Sequence, residues 1–121
     1  MIVLDASVVI AAFEPGDAHA ERARHLLGET EEQLALSVVT LAEVLASPDS
    51  RAEARVTALE PVVVPIDAGA GARLGELRRA TRLKLPGCCV LLAAEHVDAA
   101  ALLTFDDRLA DVARARGLHV P

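Results

Sequence analysis

Short apolar runs alternate along the chain with stretches whose apolar residues recur at helical spacing. Ile2 to Leu4 is the first run and ends at Asp5; Ala6 to Phe13 continues with helix-compatible spacing until Glu14-Pro15-Gly16-Asp17 breaks the pattern. A second helix is predicted from Ala18 to Leu27, then a polar turn and a strand from Leu34 to Ser37. Thr40-Leu41-Ala42-Glu43 matches a capping box, which would put Glu43 in a first helical turn. Ser47-Pro48 offers a cap followed by proline, predicting a helix that runs to about Leu59. Val62 to Val64 reads as a strand and Ala68 to about Arg82 as a long helix. Ala70, Leu74, Leu77 and Thr81 of that helix can face a core, while Arg78, Arg79 and Arg82 cluster on another side. A further apolar helix reaches from Pro86 to about Glu95. Ala100 to Thr104 is a strand, Asp106 to Arg116 a helix, and Leu118 to Val120 a last strand after the stop signal Gly117. Strands alternating with helices predict an α/β fold with a central parallel sheet covered on both faces. No repeat, linker or low-complexity tract interrupts it, so residues 1–121 are expected to form a single domain.

Composition narrows what such a fold can do. Its 121 residues are 53% hydrophobic and 25% charged, which excludes disorder and a disulfide scaffold. Aromatic residues are only 2%, so contact with nucleic acid through stacked rings is expected to be negligible and any such contact electrostatic. The net charge is −6, yet Arg73 to Lys84 carries five of the twelve basic residues against one acid, Glu76; this segment is +4 and the rest −10. No apolar run reaches the ~18 residues of a membrane span, and Asp5 falls too early for a signal peptide, so a cytoplasmic protein without membrane attachment is expected. Cys88 and Cys89 are adjacent and lack ligand-spaced partners; they are expected to be small core residues of a reducing compartment.

The acids fall where an open parallel sheet gathers ligands, beyond the carboxyl ends of its strands. Asp5 follows the first strand, Glu43 opens the helix after the second, and Asp106 with Asp107 follows the strand ending at Thr104. Converging carboxylates repel at neutral pH, and a hard oxygen-seeking cation such as Mg²⁺ or Mn²⁺ removes that cost. Metal-assisted phosphoryl chemistry is the use such a cluster suggests. Each residue taken singly has a plainer reading: Asp5 as a helix cap, Glu43 and the Thr104–Asp107 pair as capping boxes, Ser7 as a first-turn hydroxyl. Three separate acids on one predicted edge favour the functional reading. A phosphoacceptor domain also gathers acids at a sheet edge, but it would want an acid pair after the first strand, and Asp5-Ala6 does not supply one.

These segments together resemble the PIN-domain family, and within it the VapC-type toxins of bacterial toxin–antitoxin systems. The resemblance spans nearly the whole chain. It is carried by IVLDASVVI with Asp5 and Ser7, VVTLAEVL with Glu43, KLPGCCVLLAAE, and LLTFDDRLADVARARG with Thr104 and Asp106. It implies a three-layer α/β/α fold and a Mg²⁺- or Mn²⁺-dependent endoribonuclease that hydrolyses RNA phosphodiester bonds. Asp5, Glu43 and Asp106 would be catalytic metal ligands, supported by Ser7, Thr104 and Asp107. It implies a cognate antitoxin and a homodimer as well, for which the apolar helices near Phe13 and Leu45 are candidate contacts, and Arg78, Arg79 and Arg82 form a candidate RNA-binding face. One departure stands out: such toxins carry an aspartate directly after the proline of Leu85-Pro86, where this chain has Gly87. Two outcomes follow, a ribonuclease weakened or inactivated by Gly87, or a PIN-like module that only binds an antitoxin or RNA.

Overall fold

The computed structural model describes residues 1–121. In chain order the elements are β1 (Ile2–Leu4), α1 (Ala6–Phe13), α2 (Ala20–Glu29), β2 (Leu34–Ser37), α3 (Val38–Leu45), α4 (Ala52–Ala58), β3 (Val62–Val64), α5 (Ala70–Thr81), α6 (Leu85–His96), β4 (Ala101–Leu103) and α7 (Asp107–Ala115). All four strands are parallel and lie in the order β3-β2-β1-β4. Val3 pairs with Ala35 on one side and with Leu102 on the other. The chain thus moves outward from β1 to β2 and β3, then returns to place β4 against the free side of β1. This reversal opens a crevice between the carboxyl ends of β1 and β4.

Successive side chains of a strand point to opposite faces, so neighbouring residues of β1, β2 and β4 divide between two cores, while β3 buries only Val64. Val3, Ala35, Val64 and Leu102 pack with Leu77 of α5, Val90 and Leu91 of α6, and Leu109 and Ala113 of α7. Leu4, Leu34, Leu36 and Leu103 join Val8, Val9, Ala23, Val44 and Val56 from α1 to α4. Helices therefore cover both faces, which gives the three α/β/α layers. Cys88 and Cys89 are buried free thiols, and Cys88 Sγ donates to Leu83 O (3.6 Å).

Several element boundaries differ from the sequence expectation for local reasons. The second helix begins at Ala20, because Asp17 Oδ1 accepts the His19 N–H (2.8 Å) and holds a turn there. Ser47-Pro48 does not start a helix: Ser47 Oγ accepts from Asp49 N–H and Asp49 Oδ1 from Arg51 N–H, and these side-chain turns delay α4 to Ala52. Thr40 is not a cap. Ser37 is, its Oγ accepting the Thr40 N–H at 3.0 Å, so Glu43 sits in the second turn of α3. Thr104 likewise yields the capping role on α7 to Asp106. α5 stops at Thr81 because Arg82 turns left-handed (φ 59°). The expected strand at Leu118–Val120 does not form; one bond, from Leu102 N–H to His119 O (2.9 Å), is all it makes to β4.

Candidate active site

Asp5 leaves the end of β1 at the N-cap position of α1, yet its carboxylate makes no capping bond. Its Oδ2 instead accepts hydrogen bonds from Ser7 Oγ (2.6 Å) and Thr104 Oγ1 (2.8 Å). Those two hydroxyls are tied down in turn, Ser7 Oγ accepting the Phe105 N–H (2.9 Å) and Thr104 Oγ1 the Asp106 N–H (3.0 Å). The residues after β4 are thereby clamped to the residues after β1, and the Asp5 carboxylate is oriented by both. For Asp5 the capping reading fails. Asp106, rather than the expected Thr104–Asp107 pair, caps α7, its Oδ1 accepting the Leu109 N–H (3.0 Å).

Asp5, Glu43 and Asp106 line one cavity of about 510 Å³, together with Ser7 and Gly87. Withdrawal from water, and next the negative charge of Asp5, raise the Glu43 carboxyl above its ordinary value, although the residue as a whole is exposed. Asp107, in the first turn of α7, does not line this cavity. Of the three expected RNA-binding arginines only Arg82 lines the cavity. Arg78 donates to Leu83 O (3.0 Å), and Arg79 stands outside. Lys84, counted in the basic segment but not in the expected RNA-binding face, and Arg108 also line it. The remaining sequence signals were position, immediately before a helix start and directly after the acid pair. A second hollow of the same volume lies between α6 and α7; its acids are Glu95, already met by Arg73 and Arg116, and Asp98, so only the first gathers three acids at the strand ends.

The donors in the first cavity are carboxylate oxygens, the type that Mg²⁺ and Mn²⁺ prefer. As placed here, however, no three His, Cys, Asp or Glu side chains stand close enough together to hold a metal ion. Gly87, third residue of α6, has ordinary helical backbone, and a Cβ there would meet Leu83 Cβ at 3.5 Å, a normal van der Waals contact. The backbone at Gly87 therefore accepts a side chain's first carbon.

The family model of the PIN domain matches residues 2–115. The chain belongs to the PIN-domain family. Comparison with curated protein sequences finds no match. Among solved structures, this PIN domain is similar to VapC20 of Mycobacterium tuberculosis, a sarcin–ricin loop cleaving toxin, with TM-score 0.77 and 18% identity over 93% of this chain and 95% of that one. It is also similar to a chain of a toxin–antitoxin complex from Klebsiella pneumoniae (TM-score 0.69, 25% identity, covering 86% and 85%). VapBC2 of Rickettsia felis, bound to a DNA fragment from its promoter, matches with TM-score 0.67 and 17% identity over 100% and 98%. The PIN fold is shared with VapC-type toxins across almost the full length of both partners.

Proposed function

We propose that this PIN domain is the toxin of a toxin–antitoxin system and a Mg²⁺- or Mn²⁺-dependent endoribonuclease acting in the cytoplasm. The observation that carries the reading is the Asp5 carboxylate, oriented by Ser7 and Thr104 where β1 and β4 diverge, and facing a cavity shared with Glu43 and Asp106. Asp5, Glu43 and Asp106 would hold the cation. When bound, it supplies an activated water and stabilises charge growing on a phosphodiester. The hydroxyls of Ser7 and Thr104 keep Asp5 Oδ2 engaged, which fixes the direction of the carboxylate, while burial and the charge of Asp5 make the charged form of Glu43 costlier than usual. An antitoxin and a second copy of the chain are the partners this reading implies. Ile10, Val38 and Leu45, exposed on α1 and α3, supply apolar surface for them.

A second reading is supported by Gly87, which leaves the cavity one carboxylate short of the family pattern: a PIN module that binds without cutting. The two are separated by incubating total RNA with Mg²⁺ or Mn²⁺ and the chain as it stands, its Asp5→Asn variant and its Gly87→Asp variant. Metal-dependent cleavage by the chain, abolished in Asp5→Asn and increased in Gly87→Asp, is expected. Cleavage only by Gly87→Asp would establish the binding-module reading for this sequence. No cleavage by either would overturn the ribonuclease assignment.

A further inference from the structure

The cavity holds as many bases as acids. Arg82, Lys84 and Arg108 line it opposite the requirement of the carboxylates, and none of the three makes an ion pair within 4.0 Å. Elsewhere five arginines are paired, Arg51 and Arg55 with Asp49, Arg73 with Glu76 and Glu95, Arg114 with Asp111 and Arg116 with Glu95, while Arg22, Arg24, Arg78 and Arg79 are not. In the cavity the two signs stay apart because backbone tethers hold them there. Arg82 and Lys84 belong to the three-residue link between α5 and α6, and that link is pinned. Leu83 is buried, its N–H donates to Thr81 Oγ1 (3.2 Å), and its carbonyl accepts from Arg78 Nη1 (3.0 Å). Arg108 reaches the same place from α7, its Nη2 donating to Thr81 O at 3.5 Å.

We propose that Arg82, Lys84 and Arg108 form a phosphate-binding wall that receives the backbone phosphodiesters of single-stranded RNA beside the carboxylates. The proposal rests on the ribonuclease reading and adds the residues that hold its substrate. In a chain of net charge −6, a cavity lined by acids alone would repel a phosphodiester. Three unpaired cations in the same lining offset that field locally and give the polyanion groups to bind. These contacts reach phosphate rather than base edges, so they confer affinity and salt dependence without sequence preference.

The backbone at Arg82 provides a clean test. With φ 59° and ψ 15° it occupies the left-handed region, which glycine adopts more readily than arginine, so Arg82→Gly removes the guanidinium without straining the chain. Binding of a fluorescein-labelled single-stranded RNA oligonucleotide is measured by anisotropy, in chelator to prevent cleavage and across a series of KCl concentrations. The comparison covers the chain itself, Arg82→Gly, Lys84→Gln, Arg108→Gln and, as a surface control on α2, Arg22→Gln. Each of the three wall variants is expected to bind several-fold more weakly and to flatten the plot of log affinity against log salt by about 0.7 per lost contact. Arg82→Gly should do so with an unchanged or higher Tm, and Arg22→Gln should match the parent. Unchanged slopes in all three, or an equal loss in Arg22→Gln, would overturn the wall while leaving a parent that binds and cuts RNA as a ribonuclease. A parent that neither binds nor cuts RNA would remove both readings. Intact RNA slopes with weakened binding of a polyglutamate peptide would assign the three cations to an acidic protein partner instead, against the proposal.

Discussion

Two carboxylates in this site have opposite local settings. Asp5 is engaged by two hydroxyls, whereas Glu43 has no such donor and stands in the field of Asp5. A carboxyl whose pKa is raised on folding binds its proton more tightly in the native state, so its contribution to stability is complete below its unfolded value of 4.5 and is lost as the pH rises through the folded value. Glu43→Gln removes both the repulsion and the titration. In metal-free buffer the variant is therefore expected to be more stable than the parent at neutral pH, with the difference vanishing as the pH falls toward 4.5. Urea unfolding midpoints at several pH values check this, and a difference that is constant with pH would mean that neither burial nor Asp5 raises the Glu43 carboxyl. Gly87 belongs to the same scale. As a glycine with helical backbone and room for a Cβ, it is a position where chemistry rather than space decides between residues.

At the scale of the element, the site depends on how helices begin. α1, α3 and α7 start directly after β1, β2 and β4, and each start handles its free backbone amides differently. α7 uses Asp106, which therefore serves as cap and cavity wall at once. α3 uses Ser37, whose buried hydroxyl accepts from Thr40 N–H and donates to Thr40 Oγ1 (3.3 Å), and this sets the rotation of the helix that carries Glu43. α1 lacks a side-chain cap, which leaves the Asp5 carboxylate to Ser7 and Thr104. Ser37→Ala is expected to cost about 1 kcal/mol, within the usual range for a lost N-cap, as read from denaturant midpoints at constant m. A loss below a few tenths would mean that β2 and the core place α3 without help from its cap.

The whole molecule holds its last helix through ions as well as packing. Glu95 at the end of α6 accepts from Arg73 Nε of α5 (3.0 Å) and from Arg116 Nη2 beyond α7 (3.5 Å), so one carboxylate joins three segments on the face away from the acid cavity. Hydrogen bonding from Arg73 is the largest cause of its lowered pKa, with the charges of Arg73 and Arg116 adding to it. The sign is opposite to that of Glu43: the contribution is present above the unfolded value of 4.5 and is lost as the pH falls through the lowered one. Glu95→Gln is expected to destabilise the protein at pH 7 and to narrow the gap from the parent on acidification below about pH 4.5. Because the pair is partly exposed, the effect should be small and should shrink in high salt. An effect at pH 7 that survives high salt would assign the role of Glu95 to packing.

The order of strands and helices was legible in the sequence because each follows from neighbouring residues: apolar runs for β1 to β4, helical periodicity between them, Pro86 near a helix start and Gly117 at a helix stop. Asp5, Glu43 and Asp106 were legible as acids following strands, since a parallel sheet places every strand end on one edge. Other features depended on contacts between residues far apart in the chain. Nothing local told that Ser7 and Thr104 would share the Asp5 carboxylate, because that bond exists only once β4 lies against β1. The same packing separated Arg82 from Arg78 and Arg79 and brought Lys84 and Arg108 to its side. A run of basic residues is a property of sequence; which of them face a cavity is set by where α5 ends, and the left-handed turn at Arg82 ends it.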